Sequence, residues 1–244
     1  MFTVEFRKGV RRRLLEMADA DPRIESAAAV GGSAEGEADR WSDLDLTFGV
    51  AGDSVEPVLT EWTTRVREEF DAVTLFDVSR GSTVYRVFLL PGSLQVDLSF
   101  TPAAEFGALG PRFALLFGKA VPREQPLPQS PRQEFGMAAH HAVRARFCID
   151  RGRPWQAEYW TSLLRDHALT LASIRFGLDP NYGRGFDRLP RDIRELGQHA
   201  LVRSLEREEL SRALRAATQL LLHEAHAVHE DEEAIAALLR DLVL

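Results

Sequence analysis

Two short segments of this chain alternate strictly between apolar and polar residues, and a period of two limits each to a β-strand with distinct faces. From Asp43 to Phe48, the residues Leu44, Leu46 and Phe48 fall on one side, with Asp43, Asp45 and Thr47 on the other. From Leu94 to Phe100, the buried row is Leu94, Val96, Leu98 and Phe100, and the open row is Gln95, Asp97 and Ser99. If the two strands lie close in one sheet, Asp43, Asp45 and Asp97 converge on one open face. Neighbouring strands are about 4.8 Å apart, so opposed carboxylates repel strongly unless a cation sits between them. Three aspartates without a His or Cys cluster favour Mg²⁺, or Mn²⁺, over zinc.

The turn before the first pair fits the same task. Ile24 to Val30, with the small apolar run Ala27-Ala28-Ala29-Val30, reads as a buried strand that ends at Gly31-Gly32-Ser33. Paired glycines permit backbone dihedrals closed to other residues and let N–H groups approach a ligand closely. A concave set of N–H groups backed by a serine hydroxyl suits a phosphate. Gly-Gly-Ser alone is compatible with an ordinary turn, and Asp-Leu-Asp alone with a solvated edge strand. Their combination with a third matched aspartate is the equipment for holding a nucleoside triphosphate and its divalent metals.

Gly32-Ser33, Asp43-Leu44-Asp45 and Asp97 together resemble the signature of the DNA polymerase β-like nucleotidyltransferase superfamily. The resemblance is nearest to the aminoglycoside and lincosamide nucleotidyltransferases and their bacterial relatives. It spans Val30 to Phe100 by motif, and the second half more loosely through a helical domain. It implies that Ser33 and the adjacent backbone of Gly31 and Gly32 hold the triphosphate, that Asp43 and Asp45 bind metal, and that Asp97 completes the triad. Some members lack the third acid or place a glutamate base elsewhere, which leaves the role of Asp97 open between metal ligand and general base. Two metal ions about 4 Å apart are expected in such a site. The implied reaction moves a nucleoside monophosphate, AMP from ATP, onto the hydroxyl of a small acceptor such as an aminoglycoside.

A chain of 244 residues, 45% hydrophobic and 27% charged, has ample core for one large or two modest domains. Its net charge of −7 argues against nonspecific nucleic-acid binding, leaving nucleic acid only as a substrate at a local patch. An acidic cleft also attracts a cationic acceptor. The single cysteine, Cys148, excludes an internal disulfide and reads as a small core residue. Lys8 and Arg11-Arg12-Arg13 interrupt any apolar signal core, and no run approaches membrane-spanning length, so a cytoplasmic protein without membrane partners is expected.

The fold class expected is a small mixed α/β sheet followed by an all-α bundle. A helix from Val4 to Ala18 stops at Asp21-Pro22, and its arginine run reads as a solvated face. A second helix, from about Val55 to Phe70, has Asp53-Ser54 as its cap. Further strands run from Ala72 to Val78 and from Thr83 to Leu90, and Pro91-Gly92 turns into the Asp97 strand. Residues 1–120 form the first domain. Residues 121–131, with four prolines, form a linker. Residues 132–244 form a bundle of about five helices, over Gln133 to Ile149, Pro154 to Gly177, Arg191 to Leu201, Glu206 to Val228 and Glu232 to Leu242.

Within the second domain, Tyr182 and Arg184 in Asn181-Tyr182-Gly183-Arg184-Gly185 are candidate nucleotide contacts, because a glycine-flanked basic loop can approach a polyphosphate. His140, His141, Arg144, Arg165, His167 and Arg188 are further candidates, although each has a structural or solvated reading as well. Trp41 is placed to stack on a base or to pack at the rim. Arg194 and His199 have the Arg-x₄-His spacing of helical ribonuclease domains, and His223, His226 and His229 form a series on a late helix whose simpler reading is a solvated face. Other acceptors, a protein or tRNA modified as in toxin–antitoxin systems, share the motif. So does a nucleotide-binding regulator without chemistry, although a pure binder has no need of three acids.

Overall fold

The computed structural model describes residues 1–33, 39–52, 55–110, 112–124, 127–225 and 232–243, without the side chains of Ser33 and Glu232. The chain divides into two compact units, Met1–Leu127 and Pro128–Leu244.

The first unit opens with α1 (Val4–Ala20), started by Thr3, whose hydroxyl accepts from the Phe6 N–H at 3.1 Å. Its buried stripe of Arg7, Val10, Leu14, Met17 and Ala18 has helical spacing. Then come β1 (Ile24–Val30), a 3₁₀ turn at Gly31–Ser33, β2 (Leu44–Val50), α2 (Glu56–Phe70), β3 (Val73–Arg80), β4 (Thr83–Leu90), β5 (Leu94–Pro102) and β6 (Phe113–Phe117). Asp53 and Ser54, expected to cap α2, lie outside the described residues; Val55 at the cap position makes no side-chain bond.

The strand order is β3-β4-β5-β2-β1-β6. Every neighbouring pair is antiparallel except β2 and β5, which run parallel in the register Leu44↔Val96, Asp45↔Asp97, Leu46↔Leu98. A parallel pair requires a crossover, here the stretch through α2, β3 and β4. The apolar rows of β2 and β5 meet α1 and α2 in one core, where the rings of Phe48, Trp62 and Phe100 stand 4.9 to 5.5 Å apart. The mixed sheet with helices is the architecture expected from the sequence, with one strand more, β6.

The second face of the sheet is only partly open. Ser99, expected on an open row, is buried, and so is Thr101, whose hydroxyl meets that of Thr83 at 2.8 Å. Phe106 lies so close over β2 that a Cβ on Gly49 would stand 3.0 Å from its ring, and it packs in turn on Phe113. The chain after β5 folds back over this face, which alternation within a strand does not report. On β2 and β5 this cover lies over Gly49, Ser99 and Thr101, while Asp45 and Asp97, nearer the other end, stay half-buried.

The second unit holds α3 (Pro131–Asp150), α4 (Pro154–Arg175), α5 (Arg191–His199), α6 (Arg207–Glu224) and α7 (Glu232–Val243). Ser130 caps α3, and Pro154 takes the first turn of α4 as its missing N–H allows. Buried Ala138, Ala142, Ala145, Ala168, Ala172 and Ala217 let the helices approach closely around Phe135, Leu164, Leu214 and Leu221. Glu224, fully buried, is satisfied by a two-pronged contact with Arg175 at 2.8 and 2.9 Å. No helix among the described residues is long and apolar enough to cross a membrane.

Candidate metal centre

The parallel register makes Asp45 and Asp97 direct neighbours on the same face of β2 and β5. Asp43 stands just before β2. One oxygen from each of the three carboxylates lies within 4.8 Å of the others, Asp43 exposed and the other two half-buried. Burial pushes the Asp97 carboxyl above the ordinary carboxylate range, and the charge of Asp43 pushes the same way. The Gln95 amide opposes them, donating to Asp97 Oδ1 at 2.9 Å and so favouring the ionised form. Gln95 was legible as a member of the same row, but its role as the group that orients Asp97 was not.

The glycine turn contributes chiefly through Gly31. Its φ of +61° lies in the left-handed region, and a Cβ there would stand 2.6 Å from Asp45 Oδ2. Only glycine lets the backbone lie against that carboxylate. Gly32 has no positive φ, and a Cβ on it would meet no atom within 4 Å, so the special dihedral expected of both glycines belongs to one. The Gly31 N–H donates to the Arg112 carbonyl at 3.2 Å, which extends the β1–β6 ladder. The backbone donors at the turn that a phosphate could engage are therefore those of Gly32 and Ser33. The Ser33 hydroxyl lies outside the described residues.

Asp43 is delivered by a short turn that the sequence did not reveal. The Asp39 carboxylate accepts from the Trp41 N–H at 2.8 Å and the Ser42 hydroxyl at 2.9 Å, which hold it below the ordinary range. Arg7 of α1, only 6% exposed, donates to the carbonyls of Asp39 at 2.5 Å and Ser42 at 2.8 Å. This arginine belongs to the buried stripe of α1, so the signal that could have found it is an arginine at an apolar position. Trp41 is exposed, with the Arg40 guanidinium 4.2 Å over its ring.

The remaining candidates belong to the second unit. Tyr182 has φ +55° and is exposed; the Arg184 guanidinium lies 5.2 Å from its ring and 3.6 Å from Asp179. His141 is buried with its Nδ1 unpartnered, between the rings of Trp160 and His167, each 5.0 Å away. Burial, then the charges of His167 and His140, hold its pKa down to about 4, so it is neutral. His167 contacts Glu134 at 2.6 Å and Arg165 contacts Asp166 at 2.7 Å. The guanidinium of Arg144 lies 5.6 Å from the Trp160 ring. Arg194 donates to the Leu189 carbonyl and lines a hollow with Arg165, Asp166 and Phe186, whereas His199 lines one with Arg203, Arg212 and Arg215. His223 contacts the buried Glu224 at 3.0 Å, while His226 and His229 lie outside the described residues.

No protein-family model matches the sequence, and no curated protein matches it. Solved structures do. The chain is structurally similar to an aminoglycoside 6-adenyltransferase from Bacillus subtilis, with TM-score 0.41, 14% identity, and coverage of 94% of this chain and 95% of that one. It is also similar to a nucleotidyltransferase-like protein from Exiguobacterium sibiricum, with TM-score 0.42, 14% identity, and coverage of 90% and 76% respectively. A nucleotidyltransferase toxin from Mycobacterium tuberculosis matches with TM-score 0.25, 15% identity, and coverage of 96% and 90%.

Proposed function

We propose that this chain is a metal-dependent nucleotidyltransferase that moves AMP from ATP to a hydroxyl of a small acceptor such as an aminoglycoside. The observation that carries this proposal is the meeting of Asp43, Asp45 and Asp97 oxygens within 4.8 Å on one sheet face. The donor set fits the group: three hard carboxylate oxygens, with no His or Cys in the cluster, suit Mg²⁺ or Mn²⁺. Burial foremost, and then the charge of Asp43, raises the proton affinity of Asp97, and a cation at the cluster would favour its ionised form.

Asp43 and Asp45 would hold the divalent ions, and Asp97 would complete the set. Bound there, the ions supply charge neutralisation for the reacting phosphate and for the departing pyrophosphate. Gly32 and Ser33 present N–H groups to the β- and γ-phosphates, while Gly31 keeps the turn pressed against Asp45. Asp97, oriented by Gln95, takes the proton of the acceptor hydroxyl. The acceptor oxygen then forms its bond to the α-phosphorus as the bond from that phosphorus to the pyrophosphate oxygen breaks, in line. Catalysis of this kind is positioning and charge neutralisation. The net charge of −7 and the clustered aspartates favour a cationic acceptor. ATP supply and the reaction both belong to the cytoplasm in this proposal.

The test is incubation with Mg²⁺ and ATP labelled at the α-phosphate, against aminoglycosides, lincosamides, tRNA and cell lysate. Label on an aminoglycoside is the expected result. Label only on tRNA or on a lysate protein would keep the transferase and replace the acceptor. Absence of label on every acceptor would leave a nucleotide-binding protein without transfer chemistry.

A further inference from the structure

We propose that the helical unit carries a second, separate binding site, for a small phosphorylated ligand. It is a cavity of about 390 Å³ between the last turn of α5, the chain that follows it and one face of α6. That volume is in the range of small-molecule pockets. Arg203, Arg212, Arg215 and His199 line it, and no carboxylate does.

The arginines divide into one that builds the wall and two exposed ones, Arg203 and Arg215, that line the hollow. Arg212 clasps Glu209 through Nε and Nη2 at 2.7 Å each, and reaches the carbonyls of His199 at 2.6 Å and Leu201 at 2.8 Å. It thereby joins the end of α5 to α6 and covers carbonyl oxygens that would otherwise repel an anion. Glu209 is committed to Arg212 and to the Arg203 N–H, at 3.0 Å. Among the described residues, the side chains of Arg203 and Arg215 make no hydrogen bond or close ion pair, although the charge of Arg203, after the bonds from Arg212 and from the Arg203 N–H, helps hold the Glu209 carboxyl below its ordinary range. Arg215 follows Arg212 by three residues and precedes Gln219 by four, so all three share one helix face.

Three guanidinium groups against the single carboxylate of Glu209 leave this concave surface with net positive charge, which attracts an anion. The planar fork of a guanidinium matches phosphate oxygens in pairs. Leu196 and Ala216 add an apolar wall for the organic body of the ligand, and Gln219 adds an amide. A nucleic-acid backbone needs a continuous cationic track. Here exposed Glu195, Glu206 and Glu208 interrupt the surface on the same elements, which favours a compact phosphate ester.

Isothermal titration of the full chain with pyrophosphate and, separately, with AMP tests this in metal-free buffer, where the three aspartates repel both probes. Saturable binding of one probe is expected. Arg203→Gln and Arg215→Gln should each weaken it about tenfold, and Asp45→Asn should leave it unchanged. Preference for AMP identifies an organic phosphate, and preference for pyrophosphate an inorganic one. Arg203→Lys, which keeps the charge, should lose less than Arg203→Gln; an equal loss would contradict recognition by charge. Absence of binding, or binding indifferent to both arginine substitutions, would overturn the proposal. So would a single-stranded oligonucleotide that binds more tightly than either probe and is lost in the same variants.

Discussion

Asp45 is the residue on which the candidate centre turns, since it touches both the partner strand and the glycine turn. Its replacement by Asn should lower nucleotide transfer by about a hundredfold to a thousandfold with the thermal midpoint unchanged or higher, because one negative charge leaves a crowded site. Labelled transfer and a thermal melt check the two halves of this expectation, and near-wild-type rates would contradict it. Gly31→Ala is a sharper probe. Its Cβ would stand 2.6 Å from Asp45 Oδ2 at a φ of +61°, so the turn must move. We expect a loss of about 1–2 kcal/mol in urea unfolding together with loss of transfer, whereas Gly32→Ala should be mild in stability. Alternation alone put Asp45 and Asp97 on the polar faces of their strands, because a period of two assigns faces without any coordinates, whereas the pairing of those strands and the turn that carries Asp43 were not legible in it. The roles of Gln95 and Arg7 were not legible either. What matters about each is the bonding of its side chain, and in the sequence they are a polar residue in a polar row and one arginine among several.

At the scale of elements, the junction of α1, β1 and α2 rests on Asp21. Its carboxylate accepts from Arg23 Nε and Nη2 at 2.8 Å each and from the Trp62 indole at 2.9 Å. The Arg23 bonds foremost, against the opposing effect of burial, hold its pKa down to about 2 from an ordinary 3.8. A carboxyl with a depressed folded-state pKa stabilises above its unfolded value and loses that contribution as pH falls through the folded one. The contribution, about 2 kcal/mol, should therefore be nearly complete above pH 4 and be lost as pH falls through about 2. Asp21→Asn should cost about that much at neutral pH and flatten this acid limb in denaturant titrations from pH 5 to 2; an unchanged limb would contradict the assignment. The strands β2 and β5 announced themselves by alternation. By contrast, β6 did not, because Phe113-Ala114-Leu115-Leu116-Phe117 is a short apolar run that periodicity cannot assign to strand or helix. The covering of Ser99 and Thr101 by the chain after β5 was hidden for a related reason: a strand's own pattern says which face is polar, and not what folds over it.

Across the whole molecule, two separate cores serve two units, one mixed and one helical. That division of class was legible because the apolar spacing changes from two to between three and four after the proline-rich stretch. A ligand of the first unit should stabilise that unit, in proportion to its occupancy. Mg²⁺ or Mn²⁺ should raise the midpoint at which the sheet unfolds, read by the fluorescence of buried Trp62 in a background with Trp41, Trp155 and Trp160 replaced by Phe, and the rise should vanish when Asp45→Asn is added. The most direct measurement is electron paramagnetic resonance of Mn²⁺ titrated into the wild-type protein and into Asp45→Asn and Asp97→Asn. The account predicts a bound, saturable Mn²⁺ population in the wild type that is lost or sharply weakened in both variants. Free Mn²⁺ throughout the wild-type titration, or binding that survives both substitutions undiminished, would contradict it.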